Sequence, residues 1–445
     1  MSVSVTKRDL PVVAAILGLS VLLGCAIAMG WTTLLAALGG ISLFVAMVWD
    51  IRVVLPILIF LLPLGPRFPM SFGNLYLSTA VLLILYAAWF WRNALLREPY
   101  AIYLNRVVIA VAVFLGVLLV SSMQNLVYLV ANRSSLLRFA QLFLYAGLLT
   151  MVLTQRLSRR AIRILMVLVL AAGFVEAVVG LVRWHSGAAV YVHGTFEGGH
   201  SDFAVYAVMI ATLLAGVLLE AQSSAVSVAS AIALGVVLSA IIFSFSRGGY
   251  AAMAVSFLCL LAMPASRRRK AAMASVFLAS IMLFFLMGPV HVFNSIKDLV
   301  MTLTVKTFPI SFVYRLGMWK TALADFAQHP ILGKGTWSYD LRDNFYMKVL
   351  GEAGIVGLAA FVGLLVTILR EEWRAIKSCP DRGLARGIAI GLLPATVGCL
   401  VVFELSGDFF AVHRFTGSFW VVLALTLKYC LGLGVEGSQL DRRIA

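Results

Sequence analysis

A short arginine-containing link separates two long apolar runs of this sequence. The motif Ser-Arg-Gly-Gly at 246–249 stands between them, and its glycines permit the sharp reversal that so short a link needs. The guanidinium of Arg247 would lie beside the N-terminus of the following helix, and both features attract anions. The sequence therefore predicts an anion site at Arg247. The alternative interpretation is an interfacial turn with a snorkelling arginine.

A second group of polar residues contains two histidines in a glycine-rich segment. His193 begins the sequence His-Gly-Thr-Phe, and His200 follows seven residues later, just before another apolar run. No carboxylate pair or thiol stands at metal-ligand spacing from them, so we predict no metal site. A loop whose backbone surrounds a ligand before the chain re-enters the membrane fits this composition better. Arg183 is the nearest arginine upstream.

The third group lies between residues 312 and 344. Apolar residues recur at helical spacing over 312–328 and include Trp319, whereas Arg315 lies off that stripe. This pattern predicts an amphipathic helix lying at a membrane interface. His329-Pro330 should end the helix, and Gly-Lys-Gly at 333–335 should form a flexible turn.

Asp343 and Asn344 immediately precede the next apolar run. A carboxylate or amide there is expected to cap the helix by accepting hydrogen bonds from free backbone N–H groups. Asp343 is also placed to act as a base or orienting group for a hydroxyl, and the sequence leaves both roles open. Glu176 lies deep within an apolar run. We expect it to be a hydrogen-bonded structural residue rather than part of a proton relay.

Composition places these groups in a membrane protein. Hydrophobic residues make up 62% of the 445 and charged residues 12%, far from the roughly 25% charged residues of soluble domains. We count fourteen apolar runs, of which the one at 53–65 is short enough to be re-entrant. The predicted fold is an all-α polytopic membrane protein with about 12–14 transmembrane helices. A long periplasmic segment, 291–344, carries the amphipathic helix. The five cysteines show no metal or redox spacing.

The net charge of +16 is explained by topology rather than by nucleic acid. If the N-terminus is cytoplasmic, twenty-two of the 35 Lys and Arg residues fall in cytoplasmic connections, as the positive-inside rule requires. The first apolar run is expected to be retained as a helix rather than cleaved as a signal peptide. Positive charge on the outer side, which includes Arg247 and Arg315, suits an anionic ligand such as a lipid diphosphate.

Three motifs in order resemble the superfamily of O-antigen ligases and O-antigen or exopolysaccharide polymerases. They are H-G-T-F-x(6)-F-A at 193–204, S-R-G-G at 246–249, and R-x(3)-W…H-P-I-L-G-K-G…D-N-x-Y…E-A-G-I-V-G-L at 315–358. The resemblance covers roughly residues 165–370. It suggests three regions: N-terminal transmembrane helices (1–160), a catalytic region (161–370), and C-terminal transmembrane helices with a cytoplasmic tail (371–445).

The resemblance implies a metal-independent, cofactor-free glycosyltransferase in the bacterial inner membrane. Both chain termini would be cytoplasmic and the active site periplasmic. Its donor would be an undecaprenyl diphosphate-linked glycan. The expected diphosphate-binding residues are Arg247, Arg315 and Arg183, and the expected catalytic residues are Asp343 and Arg315. Glycan or acceptor binding is expected at His193, His200, Asn344 and Trp319. Membrane lipid and a chain-length regulator or flippase are the expected partners.

One departure from the family pattern bears on the activity. Ligases of this superfamily typically show His-Asn ahead of the last conserved helix, where this chain has Asp343-Asn344. The difference favours a polymerase, with an O-antigen ligase acting on lipid A-core or protein as the alternative. A lipid-linked glycan transporter or flippase is the alternative of another class. Transporters tend to show internal repeats, broken helices and several buried charges, and we find no internal repeat here.

Overall fold

A computed structural model describes residues 54–64, 67–70, 73–95, 105–195, 199–287, 310–336, 344–380, 382–402 and 413–433. The first two of the fourteen apolar runs, at 11–29 and 31–48, lie outside these residues. The described helices are α1 (Val54–Leu64), α2 (Leu77–Leu95), α3 (Arg106–Ser122), α4 (Leu126–Ala131), α5 (Arg133–Thr154), α6 (Arg159–His185), α7 (His200–Glu220), α8 (Ser224–Ile242), α9 (Arg247–Ala262), α10 (Arg267–Met287), α11 (Ile310–Gln328), α12 (Phe345–Ser378), α13 (Leu384–Thr396) and α14 (His413–Leu431).

Length and apolar composition confirm an α-helical polytopic membrane protein. Among the described residues, seven helices are long and apolar enough to cross a membrane. They are Arg106–Ala131, Ser135–Thr154, Arg159–His185, His200–Glu220, Ser224–Ile242, Phe345–Ser378 and Leu384–Val402. Helix α1 has 11 residues. At about 1.5 Å per residue it covers only about half of the roughly 30 Å hydrocarbon core.

A small hairpin departs from the all-helical prediction. Strands β1 (Arg67–Met70) and β2 (Gly73–Tyr76) follow α1 and pair antiparallel, with Arg67 opposite Tyr76 and Met70 opposite Gly73. The proline residues at 66 and 69 disfavour a continuation of α1 through this stretch, because proline lacks the N–H that a helix needs.

The chain divides into two compact units. One comprises Met1–Leu58 and Ser78–Tyr100, of which the structure describes 54–58 and 78–95. The other comprises Ile59–Leu77 and Ala101–Ala445, and it contains every predicted site residue. The site is therefore described within this second unit alone.

Helix α7 is the central helix of the second unit, since 94% of the residues in its apolar 18-residue segment are buried inside the protein. Glycines bring it against α13. A Cβ at Gly391 would lie 2.7 Å from the Cα of Leu213, and one at Gly387 would lie 2.6 Å from the Cα of Val217. Small residues allow this close approach, which gives membrane helices their van der Waals contact.

Basic side chains cap helix C-termini at one end of this unit. Arg269 donates to the carbonyl oxygens of Leu219 (2.8 Å) and Ala221 (2.6 Å), and Lys270 donates to that of Leu261 (2.6 Å). The carbonyls of a last helical turn have no partner within the helix and carry partial negative charge, so cations satisfy them. Both cations belong to the set that the sequence predicts to be cytoplasmic.

Candidate functional site

Glu176 holds the His-Gly-Thr turn against α6. Its carboxyl is fully buried and accepts hydrogen bonds from the backbone N–H of Thr195 (2.9 Å) and from the Thr195 hydroxyl. Gly194 has a φ of +56°, and a Cβ there would overlap the Glu176 carboxyl. Only glycine fits between the turn and the carboxyl. Glu176 is thus hydrogen-bonded and structural, as the sequence predicts.

Arg183 supports the same turn from the end of α6. Its Nη1 donates to the carbonyl oxygen of Gly194 at 2.9 Å, and the residue is exposed. The residue before His193 ties this loop to the next link in the chain, because the Val192 N–H donates to the Phe243 carbonyl oxygen at 3.1 Å. The predicted donor-site residue Arg183 is therefore held beside His193 and close to the Ser-Arg-Gly-Gly link.

The Ser-Arg-Gly-Gly link starts helix α9 and brings its N-terminus to that of α7. Ser246 caps α9 by accepting from the Gly249 N–H at 3.2 Å, and its hydroxyl lies 3.5 Å from the hydroxyl of Ser201. A Cβ at Gly249 would lie 2.7 Å from that of Ala204, so glycine permits the contact. Arg247, the exposed first residue of α9, therefore stands where two helix N-termini meet. Both features favour an anion.

An aromatic group lies beside these N-termini. The Tyr191 ring centroid is 5.0 Å from that of His200 and 5.9 Å from that of Phe245. Tyr191 is 41% exposed. The structure thus places two aromatic residues, which the motifs did not reveal, beside the predicted His200.

Phe245 has a strained backbone. Its φ of +54° is the single positive value at a non-glycine position among the described residues. The left-handed region costs a residue with a side chain about 1–2 kcal/mol. Phe243, two residues earlier, stacks on Trp184 with centroids 4.4 Å apart, which fixes the start of the same link.

Helix α12 is broken at Gly354, and the loop from α11 fills the break. Gly354 has φ +65° and ψ −162°, so the helical hydrogen bonds across it are lost. Instead, Lys334 and Gly335 donate their N–H groups to the carbonyl oxygens of Gly351 and Glu352, both at 3.0 Å. In return, the N–H groups of 355 and 356 donate to the carbonyl oxygens of 330 and 331. The Gly-Lys-Gly segment, predicted as a flexible turn, is therefore held by backbone hydrogen bonds to the two sides of the break in α12.

Glycine is required on both sides of this joint, the contact between residues 330–335 and the break in α12 at residues 351–356. Gly333 and Gly335 have φ of +69° and +105°, and a Cβ at Gly333 would overlap the Glu352 backbone. A Cβ at Gly354 would overlap the carbonyl of Ile331. The two segments pack backbone against backbone. Their glycines are needed for this contact, which accounts for the glycines in the motifs H-P-I-L-G-K-G and E-A-G-I-V-G.

Helix α3 and the short 3-10 turn that follows it (Met123–Asn125) hydrogen-bond to this joint. The Ser121 hydroxyl donates to the Glu352 carbonyl oxygen at 2.6 Å, and the Asn125 side-chain amide donates to the Thr336 carbonyl oxygen at 2.8 Å. Glu352 and Lys348, one turn apart on the first half of α12, are both buried (3% and 4% exposed). The sequence analysis did not single out these two charged residues, although they lie within an otherwise apolar helix.

Helix α11 carries Arg315 and Trp319, as predicted, and packs against α12. Both side chains are half-buried. The buried face of α11 differs from the predicted apolar stripe. Leu323 lies on that stripe but is 46% exposed, whereas Asp325 lies off it and is only 8% exposed. Asp325 pairs with Lys334 at 3.2 Å, which ties the helix to the joint.

Asn344 caps α12, accepting from the Met347 N–H at 3.1 Å, and it is buried. Asp343 lies outside the described residues, so its two predicted roles remain predictions. The Tyr346 hydroxyl is within hydrogen-bond distance of the Leu400 carbonyl oxygen (3.2 Å), in the π-helix that continues α13 over Val397–Val402. This π-helix packs along α9, whose N-terminus carries Arg247.

Among the described residues, no group of three or more His, Cys, Asp and Glu side chains could hold a metal ion. The described site instead presents Arg247, Arg183 and two imidazoles next to paired helix N-termini. Such a site can bind an anion and neutralise its charge.

Fold and site together define a polytopic helical membrane protein with a cationic site at one end of its bundle. Residues 231–362 match the family described as O-antigen ligase. The match confirms the resemblance of this part of the chain to the O-antigen ligase and polymerase superfamily. It runs from α8 to the middle of α12 and covers Arg247, Arg315 and Asn344. No curated protein matches the chain.

Proposed function

We propose that this protein polymerises undecaprenyl diphosphate-linked oligosaccharide repeat units at the periplasmic face of the inner membrane. The observation that carries the proposal is Arg247 at the junction of two helix N-termini, within the region that matches the O-antigen ligase family. A diphosphate is the charged part of such a donor. Arg183, and Arg315 on α11, would supply further positive charge to it.

The chemistry would be a displacement at the anomeric carbon. An acceptor hydroxyl attacks that carbon, the bond to the phosphate oxygen breaks, and the diphosphate leaves with the electron pair. Charge neutralisation by Arg247 lowers the barrier, because the leaving group gains negative charge in the transition state. The hydroxyl proton would pass to the Asp343 carboxylate, with Asn344 at the helix N-terminus fixing the position of that segment.

His193, His200 and Trp319 would contact the glycan or the acceptor. No metal or other cofactor is required in this scheme. The expected partners are membrane lipid and a chain-length regulator or flippase, with no nucleic acid.

Ligation to lipid A-core or to a protein is the second candidate, because the matched family is described as O-antigen ligase. The residue ahead of the capping asparagine favours the polymerase, since this chain has aspartate there in place of the ligases' histidine. Both candidates share the donor and the bond that breaks.

Transport of a lipid-linked glycan is supported less well. Transporters use broken helices to present free backbone groups to a substrate. The broken helix α12 differs, because the four backbone groups freed around Gly354 are bonded to residues 330, 331, 334 and 335. Those groups are not available to a ligand.

The experiment is complementation of a gene deletion with Arg247→Ala, Arg247→Lys and Asp343→Ala. We expect Arg247→Ala and Asp343→Ala to lower long-chain glycan at least tenfold, with single repeat units accumulating on undecaprenyl diphosphate. Arg247→Lys should retain more activity because it keeps the charge. Gel electrophoresis of the glycan measures chain length, and immunoblotting of membranes checks protein level.

Three outcomes would separate the candidates. Accumulation of long chains on undecaprenyl diphosphate would identify a ligase instead. Lipid-linked repeats crossing the membrane of vesicles that contain only the purified protein, with no new glycan bond, would identify a transporter. Normal polymer from Arg247→Ala and Asp343→Ala at wild-type protein level would contradict both transferase assignments.

A further inference from the structure

The aromatic group beside Arg247 has the geometry of a binding surface. Tyr191 contacts His200 and Phe245 with ring centroids 5.0 and 5.9 Å apart, and the ring planes meet at 44° and 65°. The rings are therefore inclined to one another and do not form a closed parallel stack. Tyr191 remains 41% exposed, so part of the group is open to a ligand.

Backbone strain at Phe245 gives independent support. Strained residues persist only where the surrounding structure enforces them, and they concentrate at ligand sites. Phe245 lies between the tight turn that ends α8 and Ser246, which caps α9. Glycine or asparagine would adopt φ +54° at lower cost, yet the chain has a phenylalanine there, in contact with Tyr191.

We propose that Tyr191, His200 and Phe245 form a platform that binds a pyranose ring through its C–H face. The C–H bonds on one face of a sugar ring carry slight positive charge and are attracted to the negative face of an aromatic ring. The neighbouring imidazole of His200 provides hydrogen bonds for hydroxyl groups. The proposal rests on the proposed function for the source of this sugar, the lipid-linked glycan whose diphosphate would lie at Arg247.

Anchoring at the membrane interface is the competing explanation, because tyrosine is enriched there. An anchor requires neither a strained Phe245 nor a histidine against the tyrosine ring. Anchoring would also be unaffected by soluble sugars.

Saturation-transfer NMR tests the platform directly. The full-length protein in nanodiscs is probed with the methyl glycosides of glucose, galactose and rhamnose. We expect saturation of the ring protons on one face of at least one sugar. The signal should fall at least threefold in Tyr191→Ala and stay within about twofold of wild type in Tyr191→Phe, which keeps the ring. Val190→Ala, a change at the exposed neighbouring residue, is the matched control.

Phe245→Gly separates folding from binding. Glycine tolerates the positive φ, so we expect the variant to accumulate as folded protein while the sugar signal falls at least threefold. The platform is excluded if none of the three sugars gives a signal with the wild type. Undiminished signal in Tyr191→Ala or Phe245→Gly excludes it as well.

The NMR result is independent of the proposed function. If deletion of the gene leaves every surface glycan unchanged, the proposed polymerase fails, while the NMR signals still decide whether the platform binds sugar. If Arg247→Ala abolishes polymer and Tyr191→Ala has no effect on sugar binding, the platform fails alone.

Discussion

At the scale of single residues, Glu176 shows how a buried carboxyl in a membrane protein can be structural. Its two hydrogen bonds to Thr195 fix the turn that carries His193. A protonated or hydrogen-bonded carboxyl avoids the large cost of an isolated charge in hydrocarbon. The position of His193, and of the Arg183 side chain bonded to Gly194, therefore depends on a residue about 20 positions earlier in the chain.

We expect Glu176→Leu to destabilise the protein by about 1–3 kcal/mol, because it leaves the partly buried Thr195 N–H without its acceptor, whereas the Thr195 hydroxyl can still donate to the Pro63 carbonyl oxygen at 3.2 Å. Glu176→Gln keeps an acceptor oxygen and should cost less. The thermal unfolding midpoint of the purified protein in detergent measures the change. Val175→Leu, at the exposed preceding residue, should leave the midpoint unchanged. A wild-type midpoint in Glu176→Leu would contradict the structural role.

Residue types and spacing predicted part of this site. They indicated Arg247 at a helix N-terminus and Asn344 as a cap. Tyr191 and Phe245 could not be predicted, because nothing local distinguishes them from other interfacial aromatic residues. Their significance depends on a contact between two loops 54 residues apart (245 minus 191) and on a backbone angle.

At the scale of elements, the joint between α12 and the 330–335 loop determines how the matched family motif folds. The apolar run at 345–369, one of the fourteen in the sequence, begins where helix α12 begins. Hydropathy could not reveal the break at Gly354, because glycine is common in membrane helices and the replacing hydrogen bonds come from about 20 residues away. The sequence did indicate a helix before His329-Pro330, since its apolar periodicity is local.

We expect Gly354→Ala to destabilise the protein by at least about 1–2 kcal/mol, the cost of a left-handed φ at a residue with a Cβ. Overlap with the Ile331 carbonyl adds to this cost. Gly363→Ala is the control within the same helix. A Cβ there meets nothing within 4 Å, so this change should stabilise the helix by up to about 1 kcal/mol.

The thermal midpoints of these two variants should therefore move in opposite directions. Equal midpoints for Gly354→Ala and Gly363→Ala would show that α12 is a continuous helix in the protein.

At the scale of the whole molecule, the charges divide between the two ends of the bundle in the second unit. Besides the cations that cap α7 and α9, Lys428 donates to the Leu153 carbonyl oxygen at 2.8 Å and Arg374 pairs with Glu371 at 2.6 Å. Arg183 and Arg247 lie at the opposite end. The sequence predicted this division from the alternation of spans, because charge bias follows topology and requires no tertiary contact.

This division predicts which end of the bundle faces the periplasm. The test uses single cysteines introduced at Ser186, next to the His-Gly-Thr loop, and at Ser378, the last residue of α12, in a chain whose five native cysteines are replaced by serine. Both positions are exposed. A membrane-impermeant maleimide added to intact spheroplasts should label Ser186→Cys at least tenfold more than Ser378→Cys, and lysis should make the two equal. Labelling of Ser378→Cys alone before lysis would reverse the orientation. A site at Arg247 would then face the cytoplasm, where the proposed periplasmic polymerisation could not take place.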